Sequence, residues 1–386
     1  MMRTLLHNAL ILDPEAESEQ PGSLLLEDGR IRACLAPGEP PPSDAEWVDL
    51  DGCGLAPGFL DLHFHGALVF AGPEGIPASL GGSAASMLRH GTTGFLPTTV
   101  AWSREDLQAR VTNLVKCVID APPDAATPLG VHLEGPWIRP EAAGAQPPGG
   151  IRPYDPSEGS DLLDRSEGLV KMVTLAPEIP GANLLQKELG RRGVVAALGH
   201  SLAEPRVIEE GIGAGLRHVT HLFNAMGGVH HRDRGVAGMA LTEDRLSCDL
   251  ICDGVHVHPS FVRLAARAKP GRLMMISDRI ELPDAPAASF GSGALHEDAD
   301  AVRLPDGTLA GSSLTLDRAV RNAIGWSAMT RLEAVAAATS RPARLLGIEG
   351  QRGTLRVGAR ADLVVLDRRN QVQETWLAGR RVHRAA

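Results

Sequence analysis

The 386 residues carry 38 Lys and Arg against 47 Asp and Glu, a formal net charge of −9, so a nucleic acid is not an expected partner. Apolar residues make up 43% of the chain and aromatics only 3%, with 43 Gly and 28 Pro, so the core must be aliphatic and interrupted by many turns. No apolar run approaches the ~18 residues of a membrane span, and the N-terminus lacks the long apolar stretch of a secretory signal. Five Cys without metal-knuckle spacing read as free thiols. These features predict a cytoplasmic enzyme, with room for a barrel of roughly 250 residues and a second module.

Residues 1–56 alternate short apolar runs with turn signals: Leu10-Ile11-Leu12, Ser23–Leu26 and Glu46–Leu50, with Asp28-Gly29 and Asp51-Gly52 as hairpin-type pairs. The C-terminal stretch has the same rhythm in Gly353–Leu355, Ala361–Asp367 and Gln373–Gly379. Both ends are expected to pair into one small β-sandwich, a discontinuous domain of residues 1–56 and 350–386. Between them, over 57–349, apolar runs recur at Gly58–His65, Gly94–Val100, Leu129–Glu134, Val170–Pro177, Val194–His200, Leu216–His221, Leu246–Asp253 and Leu273–Asp278. Each is followed by a helix-length segment. Eight near-continuous apolar strands alternating with helices predict an α/β protein built on a (β/α)₈ TIM-type barrel. The Pro/Gly-rich stretch Ala142–Pro153 follows a predicted strand end and is a candidate active-site loop.

Five of these runs end in a residue able to bind a metal. The first holds His63 and His65, two residues apart and therefore on one face of a strand. The third ends at Glu134, the fifth at His200, the sixth at His221 and the eighth at Asp278. A lone His at a strand end is usually a hydrogen-bonded structural residue. Six such residues at ends that converge on one barrel face point instead to a metal site. Imidazole and carboxylate without organised thiolate suit Zn²⁺, with Fe²⁺, Mn²⁺ and Co²⁺ also compatible. Cys248 and Cys252 share one strand face as packing residues.

At this point the chain resembles the N-acetylglucosamine-6-phosphate deacetylases of the amidohydrolase superfamily, over nearly its whole length. The resemblance rests on Pro57–Gly66, His132–Pro136, Gly199-His200-Ser201, Thr220–Met226, Asp253–His256 and Gly307–Ser312. It implies that Glu134, His200 and His221 hold a principal metal, that His63, His65 and Asp278 complete a second site, and that Asp278 is the general base. It further implies substrate contacts from Asn224, Ala225 and Leu309, and phosphate contacts from His256 and Arg232, the latter often supplied across a homodimer. Two positions depart from the family pattern. Gln146 stands twelve residues after Glu134, where a His that binds the substrate carbonyl is usual; it is expected to contact the substrate by donating a hydrogen bond, but it cannot carry a proton or charge. Arg279 follows Asp278 where a small residue is usual. Either it turns away into an ion pair with Glu281 or Asp284, or it alters the pocket.

The expected function is deacetylation of N-acetylglucosamine 6-phosphate or a close relative. The alternatives are an amidohydrolase of another N-acyl amino sugar or a cyclic amide, and a catalytically weak sugar-phosphate-binding protein. Relatives acting on cyclic amides often bridge two metals with a carboxylated Lys on the fourth strand. Here Lys171 lies at the wrong end of that strand, and Glu134 is expected in the bridging place.

Overall fold

The computed structural model describes residues 3–40, 42–283, 289–290, 293–298 and 301–385. Asp284, one of the partners expected for Arg279, lies outside them. All eight central strands are present: β1 Phe59–Gly66, β2 Thr92–Pro97, β3 Val131–Glu134, β4 Val170–Leu175, β5 Val195–Leu198, β6 Leu216–Val219, β7 Ser247–Ile251 and β8 Leu273–Ile276. Strands β3 to β8 form one parallel sheet in sequence order, and β1 pairs in parallel with β2. The two sheets meet on both sides. Thr98 bridges His132 in parallel, with Thr99 N–H donating to the His132 carbonyl at 3.0 Å. On the other side Asp278 N–H donates to the His63 carbonyl at 2.9 Å.

A helix follows every strand, from Ile76–Met87 after β1 to Leu316–Gly325 after β8. The strands are buried on both faces, which explains their unbroken apolar runs. This α/β arrangement of parallel strands and covering helices fits a TIM-type barrel.

The chain ends do meet. One eight-stranded sheet joins Arg3–Asp13, Ser18–Glu27, Arg30–Leu35, Glu46–Asp49 and Gly54–Pro57 to Leu363–Leu366, Val372–Leu377 and Arg380–Arg384. It has its own apolar cluster, including Leu6, Leu24, Ile31, Leu55, Leu363 and Trp376. Its hydrogen bonding is continuous and does not separate two layers.

Asp28-Gly29 turns with both residues at positive φ and closes a hairpin, as its chemistry predicts. Asp51-Gly52 also has positive φ but closes none. The strands on either side of it both run parallel to Arg3–Asp13, pairing with Thr4–His7 and then with Leu10-Ile11. The turn steps the chain past the irregularity between Leu6 and Ala9, where Gly52 N–H reaches the Asn8 carbonyl at 2.8 Å. Gly353–Leu355, expected as a strand, is irregular. Thr354 there is tied to Glu15 by its hydroxyl instead of by a ladder.

Candidate metal centre

The cluster is assembled where the β1, β3, β5, β6 and β8 strands end. His63 and His65 lie within β1 and Glu134 is the last residue of β3. His200, His221 and Asp278 stand two residues beyond β5, β6 and β8, each with left-handed backbone (φ 47, 34 and 49°). That conformation is costly for a side-chain-bearing residue and recurs at functional sites. It breaks the strand and swings the side chain inward over the barrel mouth, which is why these strands stop short of the expected His and Asp.

All six groups are nearly fully buried and converge. The Oε1 atom of Glu134 lies 3.0 Å from Nε2 of His200, 3.0 Å from Nε2 of His221 and 3.5 Å from Nε2 of His63. Its Oε2 lies 3.4 Å from Nε2 of His65. Asp278 Oδ1 approaches His63 at 3.4 Å and His65 at 3.2 Å. Two ligand triads result, His63–His65–Glu134 and Glu134–His200–His221, with Glu134 common to both.

The far ring nitrogens fix the orientation of two rings. His65 Nδ1 faces the Thr98 carbonyl at 3.0 Å, and His200 Nδ1 faces the Ala142 carbonyl at 2.9 Å. A carbonyl only accepts, so each Nδ1 carries the proton and Nε2 presents its lone pair to the centre.

The donor set fits a divalent cation. Nε2 atoms face one another at 3.1 Å in both the His63–His65 and His200–His221 pairs, which requires a proton or a cation between lone pairs. Burial works against charge on these rings. Hydrogen bonds to Asp278 and Glu134 nonetheless push His65 up to about 10, and Glu134 pushes His221 up to about 9. Glu134 is in turn held well below the usual carboxylate range, because the surrounding imidazoles outweigh its desolvation. Asp278 is held below its ordinary value by His63 and His65 against the same burial cost. A bound cation satisfies these carboxylates and leaves every imidazole neutral.

Behind the ligands lies a polar layer that the sequence reading did not single out. Asp249, in the middle of β7, accepts from the His221 backbone N–H through Oδ1 and pairs with His218 Nε2 through Oδ2 at 2.8 Å. His218 Nδ1 continues to Ser247 Oγ at 2.8 Å. His132 reaches Thr174 Oγ1 at 2.8 Å, and Thr174 reaches Thr220 at 2.7 Å. The available signal was a charge inside an apolar run, Asp249 between Cys248 and Leu250. Cys248 and Cys252 are buried packing residues, as expected, and burial pushes both thiols up to about 12.

The cluster opens into a cavity of about 280 Å³. Gln146, Asn224, Ala225, His256 and Leu309 all line it, together with Gly144 and Ala145 of the predicted loop. His256 is held by Asp253, Nδ1 to Oδ2 at 2.5 Å. Arg232 does not line the cavity. It lies exposed in the segment after Met226, so within one chain no Lys or Arg lines the cavity among the described residues.

Gln146 is spanned between two partners. Its Nε2 donates to Glu134 Oε2 at 2.5 Å and its Oε1 accepts from Ala101 N–H at 2.8 Å. Arg279 turns away from the cavity. Its Nη1 donates to the Ser313 carbonyl at 2.9 Å, and its Nε lies 3.4 Å from Glu281. Lys171 bonds the Gly168 carbonyl at 2.8 Å, away from the metal end of β4.

Buried imidazole–carboxylate triads at the mouth of parallel strands define a metal-dependent hydrolase site. A family model described as the amidohydrolase family matches residues 55–382. The chain is 37% identical over 351 residues to the N-acetylglucosamine-6-phosphate deacetylase of Danio rerio, covering 87% of this chain and 86% of that one. It is 34% identical over 360 residues to the N-acetylgalactosamine-6-phosphate deacetylase of Escherichia coli O157:H7, covering 92% and 93%. Among solved structures, N-acetylglucosamine-6-phosphate deacetylase from Pasteurella multocida matches with TM-score 0.91 at 26% identity, over 98% of this chain and 99% of that one. The Mycobacterium smegmatis enzyme in complex with N-acetyl-D-glucosamine-6-phosphate matches with TM-score 0.89 at 33% identity, over 99% and 100%. The chain belongs to the amidohydrolase family, in the branch of the N-acetylglucosamine-6-phosphate deacetylases. It is a hydrolase of carbon–nitrogen amide bonds.

Proposed function

We propose that the chain hydrolyses the acetamide of an N-acetylhexosamine 6-phosphate, N-acetylglucosamine 6-phosphate foremost, to the free amine and acetate. The observation that carries this reading is the pair of triads sharing Glu134 with Asp278 beside them, at the floor of a cavity lined by Asn224, Ala225 and His256.

In this reading Glu134, His200 and His221 hold one divalent ion, and His63, His65 and Glu134, with Asp278, a second. Zn²⁺ is the first choice, with Fe²⁺, Mn²⁺ and Co²⁺ as alternatives. Such an ion polarises an amide carbonyl and lowers the pKa of bound water towards about 7. Asp278, kept ionised by its imidazole neighbours, takes the proton of the attacking water. It then returns that proton to the departing amine, which leaves only when protonated. Gln146 supplies no proton; its amide holds Glu134 in place. Asn224, Ala225 and Leu309 position the sugar, and His256 faces the phosphate.

A homodimer completes the site by bringing Arg232 of one chain to the phosphate in the other, where its planar fork suits two oxygens. Residues 57–349 form the (β/α)₈ barrel, and residues 1–56 with 350–386 form the small β domain, whose single sheet folds over on itself to make the sandwich. Among the described residues no helix is long and apolar enough to cross a membrane, and the enzyme is assigned to the cytoplasm.

The test is acetate release by metal-loaded protein from phosphorylated and unphosphorylated N-acetyl hexosamines. Release from the 6-phosphates in preference to the free sugars is expected; no release from any of them ends the proposal. One observation favours a second reading. The cavity has no cation of its own from the described residues of one chain, so equal turnover of free sugars would assign an unphosphorylated N-acyl amino sugar.

A further inference from the structure

A second cavity lies at the opposite end of the strands from the metal cluster. It measures about 550 Å³ and its wall carries Arg217, Arg245, Arg272, Arg341 and Arg344, with Ser247 between them. Arg217 is the second residue of β6, Ser247 the first of β7, and Arg272 immediately precedes β8. Arg341 and Arg344 come from the helix Ser340–Leu346. His221 and Asp278 stand past the other ends of β6 and β8, about 13 Å or more away at ~3.3 Å per residue.

The charges on this wall are unequally compensated. Arg245 is taken up by Glu209 and Glu243, each at 2.6 Å. Arg341 donates to the Leu273 carbonyl at 2.8 Å. No carboxylate among the described residues pairs with Arg217, Arg272 or Arg344. Burial lowers the pKa of Arg217, and that of Arg341 as well. A chain of net charge −9 thus gathers five guanidinium groups around one concavity, and among the described residues four of them have no carboxylate partner, Arg341 being held by a carbonyl alone. Guanidinium forks bind phosphate oxygens in pairs. The volume is that of a small-molecule site, within the usual ~300–1,000 Å³. An extended nucleic acid would need a basic stripe, not one local concavity.

We propose that this pocket, at the N-terminal ends of β6, β7 and β8, binds a small phosphorylated anion through Arg217, Arg272 and Arg344, separately from the catalytic cavity. The phosphate occupies the gap between the strand-end guanidiniums and the helix.

Titration calorimetry of the metal-loaded protein with inorganic phosphate at constant ionic strength tests this, in a His256→Ala background that disables the proposed phosphate contact of the catalytic cavity. Saturable binding is expected to persist in that background. The double substitution Arg217→Ser/Arg272→Ser should weaken it at least tenfold while leaving amide hydrolysis in the parent unchanged. Arg344→Ser, exposed on its helix, serves as the independent single variant and should weaken it several-fold. Loss of all binding in the His256→Ala background would overturn the proposal, as would equal binding by the arginine variants. Tighter, Arg217-dependent binding of a single-stranded oligonucleotide would overturn the small-molecule assignment.

Discussion

Glu134 stands between two sets of imidazoles, and each of its oxygens has its own neighbours. Glu134→Gln keeps the shape but removes the charge that both triads share. Metal content after dialysis should fall for both sites together, with deacetylation lost in parallel. Gln146→Leu is a milder version. It leaves Glu134 Oε2 without its amide donor and Ala101 N–H without an acceptor in a buried place. Loss of a group behind a metal ligand typically costs ~10–100-fold in affinity, and metal titration of the variant should fall in that range. Retention of wild-type affinity would mean that Gln146 serves the substrate alone. At this scale the residues of the buried cluster were legible, because His, Glu and Asp at the ends of apolar runs are rare. For Arg279 the outward alternative with Glu281 was legible and is the one found, whereas the partners of Gln146 were not, because nothing local tells a side chain which of several buried groups it will reach.

The eight strands were legible as elements because burial on both faces leaves unbroken apolar runs. Their ends were not. The left-handed residues His200, His221 and Asp278 carry no compositional mark, since only glycine advertises positive φ. The pairing around Asp51-Gly52 was hidden for a related reason: turn chemistry is local, whereas the partner strand lies some forty residues upstream. Two expectations belong to elements. Asp249 of β7 anchors the backbone N–H of His221, so Asp249→Ala, which removes the acceptor, should weaken metal binding by roughly 10–100-fold. An unchanged metal content would show that the ring of His221 is placed by packing alone. Gly150 closes the loop beside the cavity, and a Cβ there would collide with the Ala101 carbonyl oxygen. Gly150→Ala should cost about 1–3 kcal/mol in denaturant unfolding. It should also loosen Gln146, whose Oε1 accepts from the neighbouring Ala101 N–H.

Across the molecule, the last βα unit is tied back to the first. Asp317, at the start of the helix Leu316–Gly325, pairs with Arg321 at 2.7 Å and with His90, beside the first helix, at 3.3 Å. Burial alone would raise the Asp317 carboxyl, but these partners and Thr315 hold it below its ordinary value of 3.8. A depressed acid stabilises the fold fully above its unfolded pKa and loses that contribution as pH falls through the folded value. Stability at neutral pH should therefore drop by about 1–3 kcal/mol in Asp317→Asn. The gap between variant and parent should narrow as melts are taken progressively below pH 4. A gap that stays constant into strong acid would remove this pair from the acid response.

The sharing of Glu134 also sets a charge balance. With every imidazole neutral, the six clustered groups carry two negative charges, those of Glu134 and Asp278. One divalent ion brings this buried volume to neutrality, and a second leaves an excess of two positive charges away from bulk water. Filling should therefore proceed in two separable steps, the second much weaker and strengthened by whatever anion enters with it. A metal titration repeated with and without a carboxylate such as acetate should show the second step alone shifting. Occupancy of the full centre would then be set by the product the enzyme releases as much as by the metal supply.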